Sequence, residues 1–122
     1  MNNIYNGLVA LNNFWNSFNI PAYEVSTIPD SAVMPYITYE GSVDDLNHPI
    51  ATTASLYYQG KSWKAITEKL QEISDKLGAG YYEEMEEGAL LIQKASPFAQ
   101  RVAEESEQIR RYIINVSLEY IF

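Results

Sequence analysis

The chain contains no cysteine, one histidine and few cations. Without cysteine there is no disulfide framework and no thiolate zinc site. A cysteine-free chain fits synthesis in a reducing compartment. Eight Lys and Arg face sixteen Asp and Glu, a net charge of −8. That balance favours solubility and disfavours a DNA-reading role. No apolar run approaches the roughly 18 residues of a spanning helix. "MNNIYNGLVALNNFW" lacks a basic region and a cleavage site, so it does not read as a signal peptide. "NVS" at 115–117 matches a glycosylation sequon, read as chance without a secretion signal.

What is abundant is tyrosine, ten in 122 residues. Two readings are open: a tyrosine-rich sheet, or tyrosine-lined contacts with other proteins. The length is that of one domain, large enough to bury a core without staples.

Ile4, Leu8, Leu11, Trp15 and Phe18 recur on one face of a helix over 3–18, capped by Asn2 or Asn3 and stopped before Pro21. Gly7 weakens that helix by about 1 kcal/mol relative to alanine. Residues 22–26, 36–41 and 51–60 read as strands. The loops are 27–35 and 42–50, the second expected to be the most mobile. Ser62 caps a second helix with an Ile66, Leu70, Ile73, Leu77 stripe, a Glu72–Lys76 pair and a glycine stop at Gly78. "YYEEM" and "ALLIQKA" flank "EEG" as a hairpin. Residues 96–108 read as irregular or briefly helical. "RRYIINVSLEYIF" at 110–122 is a long alternating strand, Ile114, Val116, Leu118, Tyr120 and Phe122 on one side. The pattern predicts an α+β fold: a mainly antiparallel or mixed sheet, two helices on one face, and a long C-terminal strand.

That strand would span roughly 43 Å, beyond common strand lengths. Either it is central and bulged with both sides paired, or a neighbouring chain covers its edge.

Chemistry-bearing residues are sparse. His48 lies near Asp44 and Asp45 in a loop, with no metal-ligand spacing. Ser55, Ser62, Ser96 and Ser106 lie in no nucleophile-elbow context. Glu83, Glu84, Glu86 and Glu87 alternate faces, as at a solvated hairpin tip. "GAG" at 78–80 lacks the lysine of a phosphate loop. Arg110 and Arg111 either pair with Glu104, Glu105 or Glu107, or meet acids on a neighbouring subunit. No catalytic, cofactor or metal site is expected.

"MPYITYE" at 34–40, "SLYYQGKSWKAITEKLQEISDKLGAG" at 55–80 and "SPFAQRVAEESEQIRRYIINVSLEYIF" at 96–122 together resemble small tail-completion proteins of long-tailed phages and prophages of Gram-positive bacteria. These are often labelled minor capsid proteins and are similar to tail terminators. The "PFAQR", "IRRYIIN" and "EY" blocks are the most specific part. The resemblance implies a helix-on-sheet domain that assembles as a ring, usually a hexamer, without catalysis or cofactor. Its partners would be further copies, the major tail tube protein and the head-side connector. The net charge of −8 adds that, in such a ring, an acidic pore would let DNA pass without specific binding. The location implied is the virion tail or neck, and the host cytoplasm during assembly. Under that resemblance Arg101, Arg110 and Arg111 would meet Glu83, Glu84, Glu86 or Glu87 of the next subunit. Pro97 and Phe98 would anchor the turn before the last strand. The loop carrying Asp44 and Asp45 would order against the tube or connector. Two rival readings stand: a head-completion or connector protein, and a host adaptor that binds peptides by strand addition. An enzyme using His48 and nearby carboxylates is a more distant one.

Overall fold

The computed structural model describes residues 2–122. Helix α1 spans Asn3–Trp15, followed by a single 3-10 turn at Asn16–Phe18. Strands β1 (Ala22–Glu24), β2 (Tyr36–Tyr39) and β3 (Ile50–Gln59) come next, then helix α2 (Lys64–Leu77). The chain closes with β4 (Tyr81–Glu84), β5 (Ala89–Val102) and β6 (Ile109–Ile121). The six strands lie in the order β1-β2-β3-β6-β5-β4. β1 and β2 are parallel and every other pair is antiparallel. Both helices pack on one face, giving the α+β layer that the residue pattern predicts.

α1 begins where expected, with the Asn2 side chain accepting from the Tyr5 amide at 3.0 Å. Its buried stripe is rotated from the expected one. Gly7, Ala10, Leu11, Phe14 and Trp15 face the sheet, while Leu8 is 37% exposed. Phe14 has more apolar surface to bury than Leu8, so the helix turns to bury it beside Trp15. The asparagine-rich face also has a use. Asn12 accepts from the Tyr39 hydroxyl at 2.7 Å, and Asn16 bonds both backbone groups of Ala22. The helix thereby clamps the short strand β1, which ends at Glu24 rather than Ser26.

Ser62 Oγ accepts from the Lys64 amide at 3.0 Å, as expected of a cap, although the residue at the cap position of α2 is Trp63, one residue later. Ile66, Ile73 and Leu77 are fully buried and Leu70 partly so. Gly78 has φ 50°, which an L side chain rarely adopts, and its amide donates to the Ser74 carbonyl. The expected Glu72–Lys76 pair is not formed. Glu72 takes Lys69 at 3.1 Å, because Lys76 is drawn to α1's end. There its ammonium lies over the rings of Phe14, Phe18 and Tyr81 and donates to Ser17 at 2.6 Å.

Of the segment expected to be irregular or briefly helical, 103–108 is irregular and 96–102 is strand. Residues 96–102 continue β5, because the first half of β6 needs a partner on that side. Ala95, Ser96, Pro97 and Phe98 bulge out opposite the single residue Asn115, whose side chain donates to the Pro97 carbonyl at 2.9 Å. Pro97 therefore costs the ladder no hydrogen bond. Pro97 and Phe98 lie in mid-strand, not at a turn before β6.

β6 is paired along its length with β3 on one side and β5 on the other. Of the two readings of the long strand, the central one holds. The sheet's outer strands are β1 and β4, three and four residues long. β4 covers only Ala89–Ile92 of β5. The rest of that margin carries Lys94, Pro97 and the bulge, devices that discourage edge-to-edge pairing.

Burial raises the phenol pKa of Tyr36, Tyr39, Tyr58, Tyr81 and Tyr120. An acid whose folded pKa lies above its unfolded value contributes stability below about pH 10, lost as pH climbs through the raised value. Urea midpoints should therefore fall steeply above about pH 10. A midpoint unchanged in that range would contradict the burial of these rings.

Candidate functional site

The register of β6 distributes charge along the molecule. At its first end, Arg110 and Arg111 stand beside Tyr58 and Tyr57 of β3, and Arg101 of β5 lies opposite Tyr112. Trp63, just before α2, is the centre of this group. The Arg101 and Arg110 guanidinium carbons lie 4.4 and 5.3 Å from its ring centre. Tyr112 packs edge-on to Trp63 at 5.3 Å, and its hydroxyl accepts from Arg101 Nε at 3.2 Å and meets Thr67 at 3.1 Å. Burial alone would raise the Tyr112 pKa; the hydrogen bonds of Thr67 and Arg101 and the latter's charge outweigh it, and the net direction is down.

Arg111 points to the uncovered face of the sheet. It lies over Tyr57 at 5.2 Å, donates to Ser55 Oγ at 3.0 and 3.2 Å, and pairs with Glu104 at 3.5 Å. Of the nearby acids weighed for the arginines, Glu104 takes Arg111, and Glu107 approaches Lys61 at 3.9 Å. Glu105 joins neither arginine among the described residues.

The opposite end of β6 is acidic. Glu84 pairs across β4–β5 with Ala89, which in turn pairs with Ile121. The tight turn to Gly88 follows, Met85 donating to the Gly88 carbonyl at 3.1 Å. Gly88 has φ 80° and no room for a side chain against the Ile121 carbonyl. Glu84, Glu86 and Glu87 are exposed. Among the described residues none has a cation within 4.0 Å. Glu83 differs, being half-buried opposite Leu90. Burial pushes its carboxyl pKa up, Lys76 opposes this, and Glu84 adds to it.

The 42–50 loop borders the same end. It is pinned rather than loose: Val43 is fully buried and its carbonyl accepts from the Tyr120 hydroxyl at 2.7 Å. Asp44 is exposed. Asp45 accepts from the amides of Asn47 and His48 at 2.9 and 3.0 Å, with the His48 ring at 3.3 Å. The Asn47 amide is the largest cause of its lowered pKa; desolvation opposes it, and the His48 contacts assist. Asp44, Asp45, Leu46 and Ile50 line a cleft of about 430 Å³. The described residues contain no group of His, Asp and Glu spaced to hold a metal, and no helix long and apolar enough to cross a membrane.

No family model, curated protein or solved structure matches this chain. The arginines and glutamates singled out from the sequence form two groups at opposite ends of one strand. Trp63, Tyr112 and Lys61 complete the basic group. The sequence carries no signal for that cluster, because only the β5–β6 register and the chain reversal at Gly60 bring its members together.

Proposed function

We propose that this chain is a ring-forming structural protein of a long-tailed phage or prophage, a tail terminator that caps the tail tube and joins it to the head-side connector. The observation that carries the reading is the separation of charge along β6. From Arg111 to Ile121 the strand runs ten residues, roughly 33 Å. The arginines at one end and Glu84, Glu86 and Glu87 at the other cannot neutralise one another within a chain. Copies joined head to tail satisfy both groups, and such a contact closes into a ring when its rotation allows. The helix-on-sheet architecture is of the kind that the resemblance implies. Strand addition by a host adaptor is disfavoured by the short outer strands and the guarded β5 margin.

Negative-stain images of the purified protein with tail tube protein should show rings on tube ends, dispersing as rising salt screens the contact. Virions lacking the protein should carry tails of irregular length. Normal free tails beside leaking heads would assign it to the connector instead. Bare tube ends and tails of uniform length would overturn the proposal.

A further inference from the structure

The guanidinium of Arg101 is exposed yet fixed. Trp63 lies beneath it at 4.4 Å and the Tyr112 hydroxyl holds its Nε at 3.2 Å. Arg110 stacks on the same ring at 5.3 Å, with Nε and Nη1 bonded to the carbonyls of Lys61 and Ile109. Among the described residues, neither arginine has a carboxylate within 4.0 Å. The terminal nitrogens of Arg101 meet no acceptor there. In a chain with sixteen acids this vacancy is selective, since Glu104 and Glu107 are engaged by Arg111 and Lys61.

We infer that Trp63, Arg101 and Arg110 form a preorganised oxyanion site that takes carboxylates from the Glu84–Glu87 hairpin tip of a second copy of this chain. The choice of a second copy rests on the head-to-tail reading above. Stacking on Trp63 removes side-chain freedom before binding, and the exposed Arg101 keeps both terminal nitrogens free to donate. A planar fork grips a carboxylate through two parallel N–H donors, which an ammonium cannot do. The hairpin tip offers exposed carboxylates on a turn held by the Met85–Gly88 hydrogen bond. Phosphate would meet the same donors, but the net charge of −8 opposes any polyanion, and a short turn brings few charges with its carboxylates.

Trp63 is a built-in reporter, since the other tryptophan, Trp15, is 1% exposed. The probe is a backbone-cyclised peptide of residues 81–92, titrated into the full chain at low concentration. A saturable change in tryptophan emission is expected, absent in Trp63→Phe. Arg101→Gln should weaken binding about ten- to a hundredfold, the range for a lost charge-assisted hydrogen bond. Arg101→Lys should weaken it nearly as much, because charge remains while fork and stack are lost. Urea midpoints of the variants serve as the folding control. Equal binding by Arg101→Lys, or by a peptide with Gln for Glu84, Glu86 and Glu87, overturns the inference. Tighter binding of a single-stranded oligonucleotide than of the peptide overturns it too, and assigns the site to phosphate. If rings form on tubes but the peptide does not bind, the site fails and the terminator reading stands. If the peptide binds but no rings form, the site stands and the terminator reading fails.

Discussion

Replacing Gly7 by alanine should destabilise the domain by about 1–3 kcal/mol, the usual cost of overpacking a filled core. Helix propensity alone gives the opposite sign, a gain of about 1 kcal/mol for Gly→Ala inside a helix. The decision lies with Tyr120. A Cβ on Gly7 would overlap the Tyr120 hydroxyl and stand 2.7 Å from the ring carbon that bears it. The ring cannot simply swing away. Its hydroxyl donates to the buried Val43 carbonyl, and it is 7% exposed between α1 and the 42–50 loop. Moving it would leave that carbonyl without a partner, itself worth about 1–3 kcal/mol. Urea denaturation of Gly7→Ala measures the sign directly. A more stable variant would show that α1 does not rest on Tyr120. In the double variant Gly7→Ala/Tyr120→Phe the hydroxyl overlap is gone but the Val43 carbonyl has lost its donor, so the two single losses should combine to less than their sum.

A larger effect is expected at Phe14. Phe14→Ala should cost about 3–5 kcal/mol, the range for a large aromatic removed from a core. Phe14 is fully buried, and its ring centre lies 4.9 Å from Trp15, 5.4 Å from Phe18 and 5.5 Å from Tyr81. It joins α1, the 3-10 turn and β4, and it forms part of the aromatic bed under Lys76. Domains of ordinary stability have about 5–15 kcal/mol in total, so the loss is a large fraction of it and the urea midpoint should fall sharply. Lys76→Met separates packing from charge. It keeps the length of the side chain and loses the cation–π attraction, so its cost should stay near 1 kcal/mol. A Phe14→Ala midpoint within error of the parent would mean that the cluster is not the hub of the helix layer.

Much of this architecture was legible in the residues. The alternation of β6 is complete from Tyr112 to Tyr120, every second side chain buried and every other one half-exposed. α2 showed its cap, stripe and glycine stop because each is a local rule. The misreadings share one cause. α1's exact stripe depends on what the sheet offers, and Gly7 makes sense only once Tyr120 is beside it. Residues 96–102 have weak preferences of their own and become strand because β6 lacks a partner there. Of the candidate site, the charged residues were visible singly. Their division between two ends was not, since it arises from a register that no short window contains. Trp63 has no local mark of a site residue, because its role as a platform for two guanidiniums depends on arginines from β5 and β6.

The central position of β6 bears on how the chain reaches its fold. The strand at the middle of the sheet is translated after all the other elements. Until it emerges, β3 and β5 have nothing between them to pair with, and the tyrosine under Gly7 does not yet exist. A nascent chain halted before Ile109 thus carries two amphipathic helices over a split floor, β1-β2-β3 on one side and β5-β4 on the other. Closure over such long separations is slow, which leaves those apolar stripes open to chaperones until synthesis passes the last strand.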